Sequence, residues 1–423
     1  MRFATLLSVV LCATSLAAAF PSAGILARQD DDTSADTTAD TSADTSADDG
    51  TVSDSSASSA SVSTTSVSAI RPGCAPQAAT RACTNPTVRK EWRTLSNAQK
   101  QSFLTAVKCY GTLPHSSSLV KTGSTPDIPP INPASSAYDD MVYVHIDLNH
   151  QIHSTGWFFP WHRFYLHTYE QTLKNKCGYT GPLPYWDWTQ DTANFLNASI
   201  WDSNHNHGVG TWGTATNDYQ ITDGAWGTAN PSPFYLNYPS HHAIRRNFTL
   251  QPYLNFPRPY LLTNSAQYAN ETFTQAMVDA SVQHYTGDYK GFQKSFQDYQ
   301  GPHAGVHLMV GADLTGLCPG NAPASCIPGE TWSPNDPLFF MHHARVDKAW
   351  YDWQNRNAAN KCAFEGGSVQ MLDSLADYDE YPLGAPPNLS LNSVFPTDGI
   401  LQSNVHIQDV MDTKGGYLCY TYQ

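Results

Sequence analysis

Apolar residues recur at helical spacing near the start of the foldable part of the chain. Ser96 and Gln99 form a capping-box pattern, in which each side chain can accept a hydrogen bond from the other residue's backbone amide. In the stretch that follows, Phe103, Leu104 and Val107 fall on one side. This spacing predicts an amphipathic helix that begins just after Ser96.

A second helical pattern follows Asp139 and Asp140, acidic residues that favour the first turn of a helix. Val142, His145 and Ile146 then share one face. His145 is therefore predicted to point into the core.

Pro160 predicts the start of a third helix, because proline is favoured at the first helical position. We expect this helix to run to about Lys176 and to carry His162 in its first turn. Glu170 and Lys174, four residues apart, are expected to form an exposed ion pair on its surface.

A fourth helix is expected to carry the adjacent His342 and His343. Asn335 or Asp336 is its predicted N-cap, Pro337 suits the first helical position, and apolar residues fill the first turn. The histidine pair is thus predicted to lie on a buried helix.

The rest of the chain carries weaker patterns. Residues 189–283 are rich in Gly, Asn, Pro and aromatic residues, which predicts long loops, and residues 417–422 predict a short strand. We therefore expect residues 71–423 to form a single mainly α domain with a helical core, long loops and few short β-strands. No second globular domain is expected.

The N-terminal residues differ in composition from the rest. Residues 1–19 combine Arg2, an apolar run and three alanines, which predicts a cleaved secretory signal. Residues 20–70 are predicted to contain a propeptide and a disordered, acidic, Ser/Thr/Asp-rich segment. The reason is that residues 29–69 contain no Lys, Arg or aromatic side chain and cannot form a packed core.

Charge and hydropathy exclude two classes of partner. The net charge is −14, and removing the nine aspartates of the N-terminal segment leaves −5, so no basic surface for nucleic acid is expected. After the signal, no apolar stretch is long enough to cross a bilayer. We therefore predict no nucleic-acid or membrane partners. Together with the signal at residues 1–19, this predicts an extracellular, secreted protein.

Cysteines and glycosylation signals agree with secretion. Eight cysteines follow the signal and allow up to four disulfides, whose pairing the sequence does not determine; Cys318 with Cys326 is the most local candidate. Four Asn-X-Ser/Thr sites are candidate glycosylation sites. They are Asn197, Asn247, Asn270 and Asn388.

Histidines form two groups with metal-ligand spacing. His303 and His307 lie four residues apart and project from one face of a helix, and His342 or His343 can add a third imidazole. An upstream group consists of His145, His153 and His162. Two triads of imidazoles without cysteine or carboxylate suit copper, zinc or iron, and two triads in one chain indicate a metal pair.

These stretches resemble the type-3 copper proteins, which comprise tyrosinases, catechol oxidases and hemocyanins. His153 with Phe159-Pro160-Trp161-His162-Arg163 is similar to the family's first copper motif. Asp336-Pro337-Leu338-Phe339-Phe340 with His342-His343 and Asp347 is similar to the second. In overall form the chain most resembles the short secreted fungal polyphenol oxidases. The resemblance implies a central four-helix bundle that holds two copper ions.

The resemblance also implies roles for individual residues. It assigns the first copper to His145, His153 and His162, and the second to His303, His307 and His343. His342 is expected to lie beside the second copper's ligands without binding the metal. We expect Arg163 and Asp347 to form a structural pair, with Asp347 also within reach of orienting an imidazole.

The chain departs from its relatives at positions that bear on activity. Many relatives that hydroxylate monophenols have Asn or Asp after the fourth ligand, where it helps to hold a water that deprotonates the phenol. Here Ala304 follows the fourth ligand and Leu308 the fifth. Gln151 stands where some fungal relatives have a cysteine cross-linked to a ligand. Tyr420-X-Tyr422 resembles the motif that closes the catalytic domain, so no C-terminal shielding domain is expected.

The predicted activity is oxidation of o-diphenols to o-quinones, with phenolic small molecules and dioxygen as substrates; o-aminophenols and methoxyphenols are further candidates. The alternatives are a tyrosinase with monophenol hydroxylase activity and, less favoured, an oxygen carrier. A zinc hydrolase of the HExxH kind would need Glu where Ala304 stands. The sequence makes no prediction of oligomeric state.

Overall fold

The computed structural model describes residues 83–123 and 125–423. The predicted signal at 1–19 and the predicted acidic segment at 20–70 lie outside these residues. The described part is mainly α-helical, as predicted, with six short strands. Its helices are α1 (Asn97–Tyr110), α2 (Ala137–Ile152), α3 (Phe158–Cys177), α4 (Ala269–Thr272), α5 (Gln275–His284), α6 (Tyr289–Gln297), α7 (Pro302–Val310), α8 (Ala312–Thr315), α9 (Leu338–Arg356), α10 (Ala358–Lys361), α11 (Leu375–Glu380) and α12 (Ile407–Met411). Its strands are β1 (Thr87–Arg89), β2 (Tyr235–Leu236), β3 (His242–Ala243), β4 (Gly367–Val369), β5 (Ala385–Asn388) and β6 (Tyr420–Tyr422).

Four helices form the central part of the fold. Helix α3 packs against α2 and α9, and α9 also packs against α7. The core between them is dominated by aromatic rings, and Tyr169 and Phe340 stack with their centroids 3.5 Å apart. This rigid apolar bundle carries all the histidines that the sequence analysis singled out.

Helices α1 and α2 both begin with a capping box. Ser96 and Gln99 make the predicted reciprocal hydrogen bonds at the start of α1. Helix α2 begins before the predicted acidic pair, because Ser136 caps it. The Ser136 amide donates a hydrogen bond to the Asp139 carboxylate at 2.8 Å, which completes the capping box. The acidic residues thus belong to the first turn of α2.

The predicted start of α3 was wrong by two residues. The helix begins at Phe158, so Pro160 lies inside its first turn. Backbone amides in the first turn make no intrahelical hydrogen bond, so proline, which has no amide proton, is tolerated there. His162 consequently stands on the second turn. The helix ends at Cys177, one residue beyond the predicted Lys176, and Gly178 follows with a φ of 67°, a conformation that glycine adopts without steric cost.

Glu170 is also not the exposed surface residue that its spacing from Lys174 indicated. Its carboxylate is buried and accepts hydrogen bonds from Arg89 at 2.7 Å and from Lys174 at 2.6 Å. Arg89 was not predicted to lie here; it reaches the Glu170 carboxylate from strand β1, near the start of the described residues. The predicted Glu170–Lys174 pair is therefore present, but its carboxylate is buried and is shared with Arg89.

Strands and disulfides tie distant parts of the chain together. Strand β1 pairs in parallel with β6, with Thr87 opposite Tyr420, and the neighbouring disulfide joins Cys83 to Cys419. The local pair Cys318–Cys326 is confirmed. Cys109 and Cys177 join the ends of α1 and α3, and Cys362 is disulfide-bonded as well.

No helix within residues 83–123 and 125–423 has both the length and the apolar character that crossing a membrane requires.

Candidate metal centre

The second predicted histidine triad forms where α7 meets α9. His303 and His307 project from one face of α7, and His343 comes from α9. The Nε2 atom of His343 lies 3.3 Å from Nε2 of His303 and 3.4 Å from Nε2 of His307. Nitrogen ligands about 2.0 Å from one tetrahedral metal ion lie roughly 3.3 Å from each other, so this spacing fits a shared metal.

Hydrogen bonding fixes the orientation of His307 in this triad. Its Nδ1 lies 2.6 Å from the Leu314 carbonyl oxygen, which can only accept a proton. Nδ1 therefore carries the hydrogen, and the lone pair of Nε2 faces the other two rings. The Nδ1 atoms of His303 and His343 are buried without a partner among the described residues.

His342 is close to this triad but oriented differently. Its ring centroid lies 4.5 Å from that of His307 and 5.5 Å from that of His303. Its nitrogens do not make the close contacts that His343 makes through Nε2, and both are buried without a hydrogen-bond partner in the described part of the chain. All four side chains nevertheless belong to one group of potential metal ligands.

The first predicted triad is built from α2 and α3. His145 lies on α2, His153 is the residue at which α2 ends, and His162 lies on α3. In each ring Nδ1 contacts a backbone carbonyl oxygen, which directs the Nε2 lone pair inward. The acceptors are those of Thr331 at 3.2 Å, Asn149 at 3.2 Å and Phe158 at 2.7 Å, respectively.

The inward-facing nitrogens of this triad are also suited to a metal. Nε2 of His145 and Nε2 of His162 are buried and have no hydrogen-bond partner among the residues that the structure describes. A buried nitrogen acceptor left without a partner costs about 1–3 kcal/mol. A metal ion at this position would satisfy these atoms, and the three side chains form a second group of potential ligands.

The two triads face each other across the bundle. His162 of the first and His343 of the second stack with centroids 4.4 Å apart and ring planes inclined by 13°. Phe158 packs edge-on against His303 with centroids 4.8 Å apart. The two candidate metal positions are therefore adjacent and enclosed by aromatic side chains.

Burial keeps all seven imidazoles neutral. It lowers the pKa of His307 to about 4 and the pKa of His153 below its ordinary value. Burial and the neighbouring imidazoles also lower the pKa values of the other five well below their ordinary value. These are His145, His162, His303, His342 and His343. Neutral imidazole is the form that binds metals.

Helix α7 presents a largely apolar surface beside the second triad. Ala304, directly after His303, is 8% exposed, and Leu308 packs partly against the core. Gly305 permits the helix to lie against α4, since a Cβ atom there would come within 1.9 Å of Thr272 Oγ1. Neither Ala304 nor Leu308 offers a polar side-chain atom to a substrate.

The expectation that Asp347 orients an imidazole was wrong. Its Oδ1 accepts a hydrogen bond from Arg163 Nε at 2.5 Å, and its Oδ2 accepts one from the Tyr420 hydroxyl at 2.6 Å. Arg89 and Tyr422 also donate to Oδ2. The four donors are guanidinium and phenol groups, so the Arg163–Asp347 pair links α3 and α9 to strands β1 and β6, and among the described residues no ligand imidazole hydrogen-bonds to Asp347.

The short 3-10 helix Glu330–Asn335 was not predicted from the sequence. This helix follows a loop whose sequence has no helical or strand periodicity. Its only signal in the sequence is its position shortly before the second copper motif, and in the fold its Thr331 carbonyl oxygen contacts Nδ1 of His145, a member of the first triad.

Comparison with known proteins agrees with the geometry. Residues 135–356 match the family model described as the common central domain of tyrosinase. The chain is 30% identical to the tyrosinase-like protein phomQ1 of Diaporthe leptostromiformis over 346 residues, which cover 81% of this chain and 78% of that protein. It is 25% identical to the N-acetyl-6-hydroxytryptophan oxidase ivoB of Emericella nidulans over 379 residues, which cover 80% and 93% of the two chains.

A solved structure shares the fold. A polyphenol oxidase from Thermothelomyces thermophila superposes with a TM-score of 0.55 at 22% identity, covering 82% of this chain and 91% of that chain. The family model, the relatives and the two facing histidine groups agree with one another. The chain belongs to the tyrosinase family of type-3 copper proteins, and its cofactor is a pair of copper ions.

Proposed function

We propose that this protein oxidises o-diphenols to o-quinones and couples this oxidation to the reduction of dioxygen to water. Two o-diphenols each lose two electrons and two protons, and one dioxygen takes up all four of each to give two waters. When bound, the two copper ions supply the electron transfer between phenol and dioxygen. We assign them to the two triads, His145, His153 and His162 for one and His303, His307 and His343 for the other.

The protein's own residues position the reaction. Backbone carbonyls hold His145, His153, His162 and His307 in one tautomer and one ring orientation, so their Nε2 atoms stay aimed at the metals. The aromatic rings around them keep bulk water away from the centre.

The presence of Ala304 directly after the fourth ligand favours diphenols over monophenols as substrates. A monophenol must lose its single hydroxyl proton before it can be hydroxylated, and a polar side chain after the fourth ligand would help to hold the water that takes it. The methyl group of Ala304 can neither donate nor accept a hydrogen bond. An o-diphenol needs no new oxygen atom and depends less on this assistance.

Tyrosinase activity is the second candidate. The relatives include a protein named Tyrosinase P in Aspergillus terreus, 26% identical over 377 residues. The name of the ivoB relative adds hydroxylated aromatic amino acids to the candidate substrate class. Both extend the proposed substrates within phenolic compounds.

Oxygen uptake distinguishes these activities. Copper-loaded protein is mixed with 4-methylcatechol or p-cresol in matched runs in an oxygen electrode cell. We expect one dioxygen consumed per two molecules of 4-methylcatechol, and little uptake with p-cresol. Comparable, prompt uptake with both would establish a tyrosinase instead. Reversible oxygen binding without turnover of either phenol would establish a carrier.

We further propose that the protein acts outside the cell. The disulfides at Cys83–Cys419, Cys109–Cys177 and Cys318–Cys326 support this proposal, because such bonds persist mainly in oxidising compartments. Edman sequencing of protein recovered from the culture medium tests it. We expect an N-terminus beyond residue 19. Retention of the whole protein inside cells would contradict the proposal.

A further inference from the structure

His153 differs from the other assigned ligands because it does not lie within a helix. The other five belong to α2, α3, α7 and α9, and they are His145, His162, His303, His307 and His343. His153 directly follows α2, and its backbone is extended, with φ −118° and ψ 143°. Its ring centroid lies 5.0 Å from that of His145 and 5.2 Å from that of His162. The position of this ring therefore depends on the loop at residues 153–157.

This loop has a backbone conformation that needs support from outside. Ser154 has a φ of 52°, in the left-handed region that residues with a side chain rarely adopt. Such a conformation persists where the surrounding structure holds it, and it occurs often at functional sites. Contacts from other elements should therefore fix the loop, and with it His153.

Two glutamine side chains hold the loop by its carbonyl oxygens. Gln370, just after β4, donates from Nε2 to the His153 carbonyl oxygen at 3.1 Å. Gln293, on α6, donates from Nε2 to the Thr155 carbonyl oxygen at 2.7 Å. A carbonyl oxygen can only accept a hydrogen bond, so the nitrogen of each amide must face the loop. The backbone on both sides of Ser154 is thereby tied to distant parts of the chain.

Strand β4 packs against the same loop. The Gly156 amide donates to the Gly367 carbonyl oxygen at 3.0 Å. Gly366 has a φ of 142°, and a Cβ atom there would lie 2.5 Å from the Gly156 Cα. Glycine is needed for so close an approach. The strand that precedes Gln370 is therefore fixed against the loop itself.

Packing alone does not explain a glutamine at position 293. Its side chain is fully buried, on the face of α6 that also buries Tyr289, Phe292 and Phe296. Its Nε2 also donates to Gln297 Oε1 at 3.0 Å, while its own Oε1 is buried without a hydrogen-bond partner among the described residues. An unsatisfied buried oxygen is destabilising, and an apolar side chain would avoid it. A donor that is present although it weakens the packing is expected of a residue that positions a functional site.

We propose that Gln293 and Gln370 are positioning residues for the first copper, because their amide hydrogen bonds hold the loop at residues 153–157 in the conformation that keeps His153 beside His145 and His162. This inference rests on the assignment of these three histidines to that copper. Within the described part of the chain, neither glutamine hydrogen-bonds to an imidazole, so both act through the backbone of the loop.

Copper affinity measured at one triad at a time tests this proposal. His307→Ala leaves the first triad intact, and His153→Ala leaves the second intact. Each background protein is titrated with copper(I) in competition with the chelator bicinchoninate, which gives the Kd of the remaining copper. Adding Gln370→Met to His307→Ala should weaken that copper about tenfold, since methionine has a similar length and no donor. Adding it to His153→Ala should leave the Kd within about twofold, because no ligand of the second triad lies in the loop.

Two further variants sharpen the comparison. Gln293→Met should likewise weaken only the first copper, by about tenfold. Gln370→Lys is the rescue variant, because its ammonium group keeps a donor at this position, and its Kd should stay within about threefold of the background value. Gln283→Met, at an exposed position on α5, is the matched control and should change neither Kd.

Several outcomes would overturn the proposal. Equal weakening of both coppers would show that the glutamines only support the fold, and so would unfolding of both methionine variants, detected by circular dichroism. An unchanged Kd in the His307→Ala background would remove the positioning role. A loss with Gln370→Lys as large as that with Gln370→Met would show that the donor is not the cause.

Copper(I) binding needs no phenol, so this test is separate from the proposed oxidation. A selective weakening of the first copper, in a protein that oxidises neither phenol, would support the positioning role while the oxidase function fails. Oxidation by wild type without any selective weakening in the variants would leave the oxidase function in place while the positioning role fails.

Discussion

Arg163 donates its Nε proton to Asp347 at 2.5 Å, and this contact joins α3 to α9 just beyond the ligand candidates His162 and His343. Arg163 is buried and stacks on Trp350 with its guanidinium carbon 3.7 Å from the ring centroid. Because Asp347 also binds Arg89, one carboxylate balances two buried guanidinium groups.

Asp347→Asn should therefore destabilise the protein strongly. Removing the negative charge leaves two buried cations with only Glu170 to balance them, and breaking such a pair costs about 3–5 kcal/mol. Urea unfolding of wild type and variant measures this difference. Asp352→Asn, in a partly exposed pair with Lys348 on the same helix, should cost less than about 1 kcal/mol. Equal effects of the two substitutions would contradict the assigned role of Asp347.

His307→Ala should leave about one copper per chain and abolish turnover. The substitution removes one Nε2 metal ligand from the second triad and leaves all three ligands of the first triad in place. Copper content is measured by atomic absorption after dialysis. His284→Ala, at an exposed histidine, should retain two coppers and full activity. Unchanged turnover in His307→Ala would refute the ligand assignment.

Ala304→Asn should raise activity toward p-cresol relative to 4-methylcatechol. The new amide can hold a water beside the second triad, where the native methyl group cannot. Steady-state oxygen uptake with both substrates gives the ratio. Ala304→Val controls for added volume without polarity, and a similar rise in both variants would show that hydrogen bonding at this position is not the cause.

Asp398 should make stability fall as the pH rises. Its carboxyl is buried near Asp147. Burial and the charge of Asp147 raise the pKa of Asp398 to about 7, although Thr122 donates a hydrogen bond to its carboxylate. The Tyr143 hydroxyl also lies near Asp147 and Asp398. The folded state therefore binds this proton more tightly than the unfolded state, whose pKa is near 4. The stabilisation is complete below about pH 4 and is lost between about pH 4 and pH 7.

Asp398→Asn should remove that slope. Unfolding free energies of wild type and variant are compared at pH 5 and pH 8, so that the effects of other groups cancel in the difference. We expect the variant to gain stability relative to wild type at pH 8. A pH-independent difference would mean that Asp398 has the same pKa in the folded and unfolded states.

Short-range chemistry was predictable from the sequence. The Ser96 and Gln99 capping box, the Gly178 helix end and the spacing of His303 and His307 depend on residues within one or two turns of each other, and the structure contains all three. Such signals need no knowledge of the fold.

Contacts between distant residues were not predictable in this way. Glu170 was expected to face solvent because it lies four residues from Lys174. Its burial was not predictable, because Arg89, which covers it, comes from strand β1 near the start of the described residues. The contact between the Thr331 carbonyl oxygen and His145 was not predicted, because it exists only where the 3-10 helix Glu330–Asn335 packs against α2. Periodicity reports which side of an element is buried and not which partner buries it.

The Cys83–Cys419 bond closes a covalent ring, since it joins residues 336 positions apart in the sequence. A single cut by a protease anywhere inside that ring opens it without releasing a fragment. Protein nicked in an exposed loop, such as the one containing His205, would thus migrate as one species until a reductant is added. Both histidine triads lie within the ring, so the two halves of a nicked copper centre would remain tethered to each other.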